Sequence, residues 1–184
     1  VMRLVGSEMC IRDRSIWGQA KKEFGKVQDE KIKKEMVKDF VDFYGKNIVN
    51  ESTLINGVRE FLIWSKKNDI SMAVCTNKQE RLAVDLLKKL ELFKFFDYVA
   101  GSDTFAFNKP DPRHLTDVVE IIGGDLKKTM MIGDSEVDAM SAYNAKVPFV
   151  LVKDGYTEKT EKEIKHNELI SDFVNFEKII EKYL

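Results

Sequence analysis

The chain has 184 residues, 43% hydrophobic and 33% charged, an ordinary globular balance with enough length for one domain and a small insert. Thirty basic against 31 acidic side chains leave a net charge of -1, which gives no electrostatic basis for binding nucleic acid or an anionic membrane, and no apolar run approaches the roughly 20 residues of a membrane helix. Two cysteines, Cys10 and Cys75, make neither a disulfide framework nor a metal cluster, so a reducing cytoplasm is the expected compartment.

Residues 1–14 show neither helical nor strand periodicity and no cap signal. The stretch Val5 to Arg14 resembles translated sequencing-adapter sequence, and 1–14 is expected to be a non-native leader. It is too short and too soon interrupted to be a signal peptide. Ser15 to Asn47 reads as helical, with Phe24, Ile32, Met36, Phe40 and Phe43 at helix-compatible spacing. The mixed charges between Lys21 and Lys38 are a solvated face rather than a binding patch. Gly57 opens a second helix with Val58, Phe61, Leu62 and Trp64 on its apolar side.

The period then changes. Ile70 to Cys75 is a short apolar run, read as a buried parallel strand. Gln79 to Leu92 follows as a helix with Leu82, Leu86, Leu87 and Leu90 inward, then Tyr98 to Gly101 as a strand. Asp111 to Ile122 is helical and ends at Gly123-Gly124. Thr129 to Ile132 is a strand, Glu136 to Asn144 a helix, Phe149 to Val152 a strand, and Val174 to Tyr183 a closing helix. Strands alternating with helices through short links predict an α/β fold, a parallel sheet with helices on both faces.

In such sheets ligands bind beyond the carboxyl ends of the strands. Gly133-Asp134-Ser135-Glu136-Val137-Asp138 follows one strand directly. Asp134 and Asp138 are four residues apart and share one helix face, an arrangement that suits a hard cation such as Mg²⁺. The plainer reading makes Asp134 or Ser135 a helix cap and Asp138 a surface residue. In Asn108-Lys109-Pro110-Asp111-Pro112 the prolines stiffen a loop that can aim the Lys109 ammonium at an anion, although a surface lysine before a helix has the same local sequence. Thr76-Asn77-Lys78 offers a hydroxyl, an amide and backbone N–H groups before a helix, which is a phosphate cradle or a simple cap.

Taken in order, Val74 to Lys78, Asn108 to Pro112 and Gly133 to Asp138 resemble motifs II, III and IV of the haloacid dehalogenase (HAD) superfamily phosphatases. Val150 to Tyr156 is similar to the strand and Gly-Tyr turn of phosphoglycolate phosphatases. The resemblance runs from about Ser15 to Leu184. It implies a three-layer Rossmann-like parallel sheet (the HAD fold) over residues 51–184, and a small helical cap, partly present as residues 15–50. It implies that Thr76 and Asn77 bind the phosphoryl oxygens and that Lys109 neutralises their charge. Asp134 becomes a Mg²⁺ ligand and Asp138 a second ligand or its support. The implied reaction is hydrolysis of a small phosphate monoester, 2-phosphoglycolate, through an aspartyl-phosphate. A phosphohexose mutase or another small-metabolite phosphatase is the alternative within the fold.

One departure is large. Family members begin with a strand ending Asp-x-Asp-Gly-Thr, whose first Asp is the nucleophile and whose second is the acid and base. No Asp-x-Asp occurs in this sequence. The central first strand is therefore expected to be missing and the chain as given inactive; a non-catalytic binding protein of the same fold is the reading from another class. Val1 to Val5 is the only spare segment with strand-like residues that could fill the slot. Cys75 reads as an inert buried thiol, Trp17 and Trp64 as packing residues, and the distant His114 and His166 as no metal site.

Overall fold

The structure is a computed structural model; it describes residues 3–6, 11–13, 26, 29–32, 34–36, 38–39, 52–155, 157 and 159–183. The strands are β1 (Arg3–Gly6), β2 (Ile11–Asp13), β3 (Ser52–Leu54), β4 (Ser71–Cys75), β5 (Tyr98–Ala100), β6 (Thr129–Gly133), β7 (Phe149–Val152) and β8 (Glu168–Ile170). The helices are α1 (Val58–Lys67), α2 (Glu80–Lys89), α3 (Pro112–Ile121), α4 (Glu136–Asn144) and the single turn α5 (Glu177–Ile180). The chain divides into two compact units, Val1–Arg12 with Leu54–Leu184, and Asp13–Thr53.

In the first unit six strands form one sheet in the order β5-β4-β1-β6-β7-β8. Every recorded pairing in it is parallel. The sheet reads from sequence because its inner strands are continuous apolar runs, as strands covered on both faces must be. Met130, Met131 and Ile132 of β6 and Val150, Leu151 and Val152 of β7 are all buried. Helices supply the covering layers through one stripe each: Leu82, Ala83, Leu86 and Leu87 of α2, and Leu115, Val118 and Val119 of α3. Phe61 of α1 meets the edge of the Phe176 ring at 4.8 Å, and Phe173 at 5.4 Å, so the C-terminal segment closes over α1.

The central position of the sheet, between β4 and β6, is taken by Arg3–Gly6 from the spare N-terminal segment, with Gly6 level with Val74 on one side and Ile132 on the other. Backbone N–H and C=O groups on two facing strands must be paired, and Arg3–Gly6 pairs them here. The closing helix is not continuous over Val174 to Tyr183; it is confined to Glu177–Ile180, because Asn175 takes a left-handed φ of 57°. Leu90, expected inward, is only half-buried where α2 ends. β8 escaped the sequence reading: it is a three-residue edge strand with a charged first residue.

In the second unit, residues 30–32, 34–36 and 38–39 are helical and exposed, Ile32 and Met36 among them. Phe24, Phe40 and Phe43 lie outside the described residues, as do Cys10, Trp17 and Tyr156.

Candidate active site

The parallel strands of the sheet end at one edge, and the polar turns that follow β4 and β6 are tied together there by the loop before α3. β4 delivers Thr76, which is buried with its N–H donated to the Ala100 carbonyl at 2.9 Å. Its Oγ1 accepts the Lys78 N–H at 3.1 Å, shaping the turn that leads into α2. β6 delivers Gly133 and Asp134. Gly133 is required by space: a Cβ there would stand 2.5 Å from the Asp138 Cβ and 2.6 Å from its Oδ2. Ser135 caps α4 by accepting the Asp138 N–H at 3.3 Å.

The third segment arrives from the loop before α3. Asp111 caps that helix through the Arg113 N–H, Pro112 takes the first helical position, and Lys109 stands just ahead. A cis peptide bond joins Lys109 to Pro110. Lys109 is 4% exposed and Asp138 2%. The Lys109 Nζ donates to Asp138 Oδ1 at 2.6 Å. Asp138 Oδ2 accepts from the Ser135 hydroxyl at 2.8 Å and from the Asp134 N–H at 3.2 Å. Asn77 Nδ2 donates to the Lys109 carbonyl at 2.8 Å. The segments around Thr76, Lys109 and Asp134 are thus tied into one cluster.

The electrostatics follow from burial and pairing. Burial alone would push the Asp138 carboxyl up, but the Lys109 charge and the hydrogen bonds from Lys109, Ser135 and Asp134 bring it below the usual carboxylate range. Burial works against the Lys109 ammonium, yet Asp138, with help from Cys75 and Asp134, raises it above the ordinary lysine value. The result is a buried, charged pair. Cys75, beside the pair, is pushed up to about 12, chiefly by burial, so its thiol is not a nucleophile.

This geometry departs from two sequence readings. Asp138 is not a surface residue; its carboxylate holds Lys109 and the first turn of α4, the supporting place given as the alternative to a second ligand. Asn77 turns its amide to the Lys109 main chain. Of the two carboxylates expected to hold Mg²⁺, Asp134 alone is half-buried at the strand end. Among the described residues no three His, Cys, Asp or Glu side chains gather where a metal could sit. Sequence reasoning also passed over His114. It is fully buried, and its Nδ1 accepts the Lys109 N–H at 3.2 Å. Its position five residues after Lys109, one turn into a capped helix, was the available signal.

Comparison with known proteins places the chain in a family. Residues 14–152 match the family described as haloacid dehalogenase-like hydrolase. A phosphoglycolate phosphatase of Mesorhizobium japonicum is 41% identical over 138 residues, 75% of this chain and 61% of that protein. One from Agrobacterium fabrum is 40% identical over 148 residues, 78% of this chain and 64% of that protein. The chain therefore spans a little over three fifths of the length of these curated relatives. A crystal structure described as a predicted phosphoglycolate phosphatase from Haemophilus somnus superposes with a TM-score of 0.79 at 26% identity, covering 88% of this chain and 72% of that one. A HAD-superfamily hydrolase from Geobacter sulfurreducens, 20% identical with a TM-score of 0.68 over 97% and 99% of the two chains, shares the fold. With a matching family model over most of its length and relatives 40% and 41% identical, the chain belongs to the haloacid dehalogenase-like hydrolases.

Proposed function

We propose that this chain carries the phosphate-binding half of a Mg²⁺-dependent phosphatase acting in the cytoplasm on a small phosphate monoester, 2-phosphoglycolate. The observation that carries the reading is the buried Lys109–Asp138 pair, 2.6 Å long, tied through Asn77 to the Thr76 turn. A fixed positive charge beside a hydroxyl and the N-terminal end of α2 is suited to phosphoryl oxygens. The substrate class rests on relatives named phosphoglycolate phosphatase at 40% identity or slightly above.

In this reading Thr76 binds a phosphoryl oxygen through its hydroxyl, and Asn77 braces the loop of Lys109. Lys109 stabilises charge on the phosphoryl group. Asp134 supplies one carboxylate to Mg²⁺, which would neutralise phosphate charge when bound, and Asp138 supports the site by holding Lys109. Residues 15–50 are part of a helical cap, residues 51–184 are the core, and 1–14 is a leader foreign to the family. The nucleophile of the aspartyl-phosphate step is not among these residues, because the sequence holds no Asp-x-Asp. That lack also favours a second reading, a protein of this fold that binds phosphate without hydrolysing it.

The test is phosphate release by the 184-residue chain from 2-phosphoglycolate and p-nitrophenyl phosphate with Mg²⁺. No release above a buffer blank is expected. Turnover that disappears in Asp134→Asn would mean that another residue serves as nucleophile, and would overturn the proposal.

A further inference from the structure

Lys109 is held at three points. Its ammonium is fixed by Asp138 and its carbonyl by Asn77 Nδ2 at 2.8 Å; its N–H is donated to His114 Nδ1 at 3.2 Å. The first two contacts come from segments already assigned to the site. The third comes from a residue that the chemistry has no use for, since His114 is fully buried and cannot reach a substrate. We propose that His114 is a positioning residue: as a neutral imidazole acceptor on the Lys109 main chain, it sets where the Lys109 ammonium stands against Asp138 and the phosphoryl site.

Several observations support this. An N–H donor facing Nδ1 requires that nitrogen to be unprotonated, which puts the ring proton on Nε2. The ring keeps that form because burial, and then the Lys109 charge, lower its pKa to about 4. The ring packs edge-to-face against Phe105, with the centroids 5.7 Å apart and the planes at 81°. Its own backbone is anchored as well, for the Cys75 thiol donates to the His114 carbonyl at 3.6 Å. The imidazole is therefore fixed relative to β4, the strand that delivers Thr76, and transmits that position to Lys109. The main chain of a loop lysine has no ladder to hold it, and an error of about 1 Å in such a group is enough to cost a large part of a reaction rate.

The proposal rests on Lys109 being the charged group of the site, and the test separates the two ideas. The ¹⁵N-labelled chain is compared with His114→Asn, whose Oδ1 falls near the position of Nδ1, and with His114→Gln and His114→Leu, which place no acceptor there. The readout is the Lys109 side-chain ammonium signal, identified by its loss in Lys109→Met. Affinity for inorganic phosphate is followed in the same samples. The expected result is a slowly exchanging ammonium signal in the chain and in His114→Asn, lost in His114→Gln and His114→Leu while their backbone spectra stay dispersed. Phosphate affinity should fall about tenfold in the latter two, the loss of roughly one net hydrogen bond. A signal that persists in His114→Gln and His114→Leu would overturn the role of His114 alone. Loss in His114→Asn as well would show that ring volume matters and the acceptor does not, and unfolding of the Gln and Leu variants beside a folded Asn variant would make the residue structural. No ammonium signal in the folded parent chain would refute the Lys109–Asp138 site itself, and this proposal with it.

Discussion

Asp138→Ala is the substitution that asks most of the structure. It removes the acceptor of three hydrogen bonds: from Lys109 Nζ at 2.6 Å, the Ser135 hydroxyl at 2.8 Å and the Asp134 N–H at 3.2 Å. It also leaves the Lys109 ammonium, 4% exposed, without its counter-ion. Breaking a buried pair by removing one partner costs about 3–5 kcal/mol, against the roughly 5–15 kcal/mol that holds a domain folded. Asp138→Asn keeps the shape and an acceptor oxygen for Ser135 and Asp134, so its cost should be smaller, about 1.5–3 kcal/mol for one charged hydrogen bond. Replacing the whole pair, as Lys109→Met with Asp138→Leu, removes both buried charges at once and should recover most of the loss. Urea unfolding of the parent, the two single variants Lys109→Met and Asp138→Leu, and the double variant closes a mutant cycle. A coupling above about 2 kcal/mol is expected by the same reasoning. Single variants within about 0.5 kcal/mol of the parent would put these residues in the class of surface substitutions and refute the buried pair.

Gly133→Ala should destabilise by about 1–3 kcal/mol, because the added methyl meets Asp138 and must push the carboxylate off Lys109; its urea midpoint checks this. Stability should be lost at both ends of the pH scale. His114 has a folded pKa of about 4 against the ordinary histidine value of 6.5, so the unfolded state binds more protons between those values and stability falls as pH drops through that window. Asp138, held below 3.8, adds loss at still lower pH, while Lys109, held above 10.5, adds loss as pH rises through its raised value. A urea midpoint that falls between pH 6.5 and 4 in the parent and stays level in His114→Asn would isolate the histidine's share. In a variant with the nucleophile strand supplied, Lys109→Ala should lower turnover by about 10²–10³-fold, with poor rescue by Lys109→Arg, whose planar fork does not replace a compact ammonium. Asp134→Asn in the same background should weaken Mg²⁺ dependence and rate together, and activity surviving excess chelator would refute the metal role.

Most of the sheet was legible because its inner strands are unbroken apolar runs ending in polar turns. Ile70 to Cys75, Thr129 to Ile132 and Phe149 to Val152 each lie within a residue of the observed strands. The cluster at their ends was legible as residue types but not as partners. Lys109 and Asp138 are 29 residues apart, and no local pattern says that a lysine and a carboxylate, each with its own expected ligand, will bind one another. The hydrogen bonds of Asn77 and His114 to the Lys109 main chain are invisible for the same reason: sequence shows which groups can donate and accept, and only tertiary packing chooses among them. Arg3–Gly6 teaches a different point. Part of a spare segment with strand-like residues but no strand periodicity becomes the central strand, because two flanking ladders of backbone groups favour any segment that can pair with both.

The central claim is that these residues are the binding half of a phosphatase that needs an Asp-x-Asp strand to act. It is tested most directly by replacing residues 1–14 with an apolar strand ending Asp-x-Asp-Gly-Thr and measuring inorganic phosphate released from 2-phosphoglycolate with Mg²⁺. Release that needs the metal and both grafted aspartates, and is lost with Lys109→Ala, is the predicted result. A folded variant that binds the substrate but releases no phosphate, or an unaltered chain that matches its rate, would contradict it.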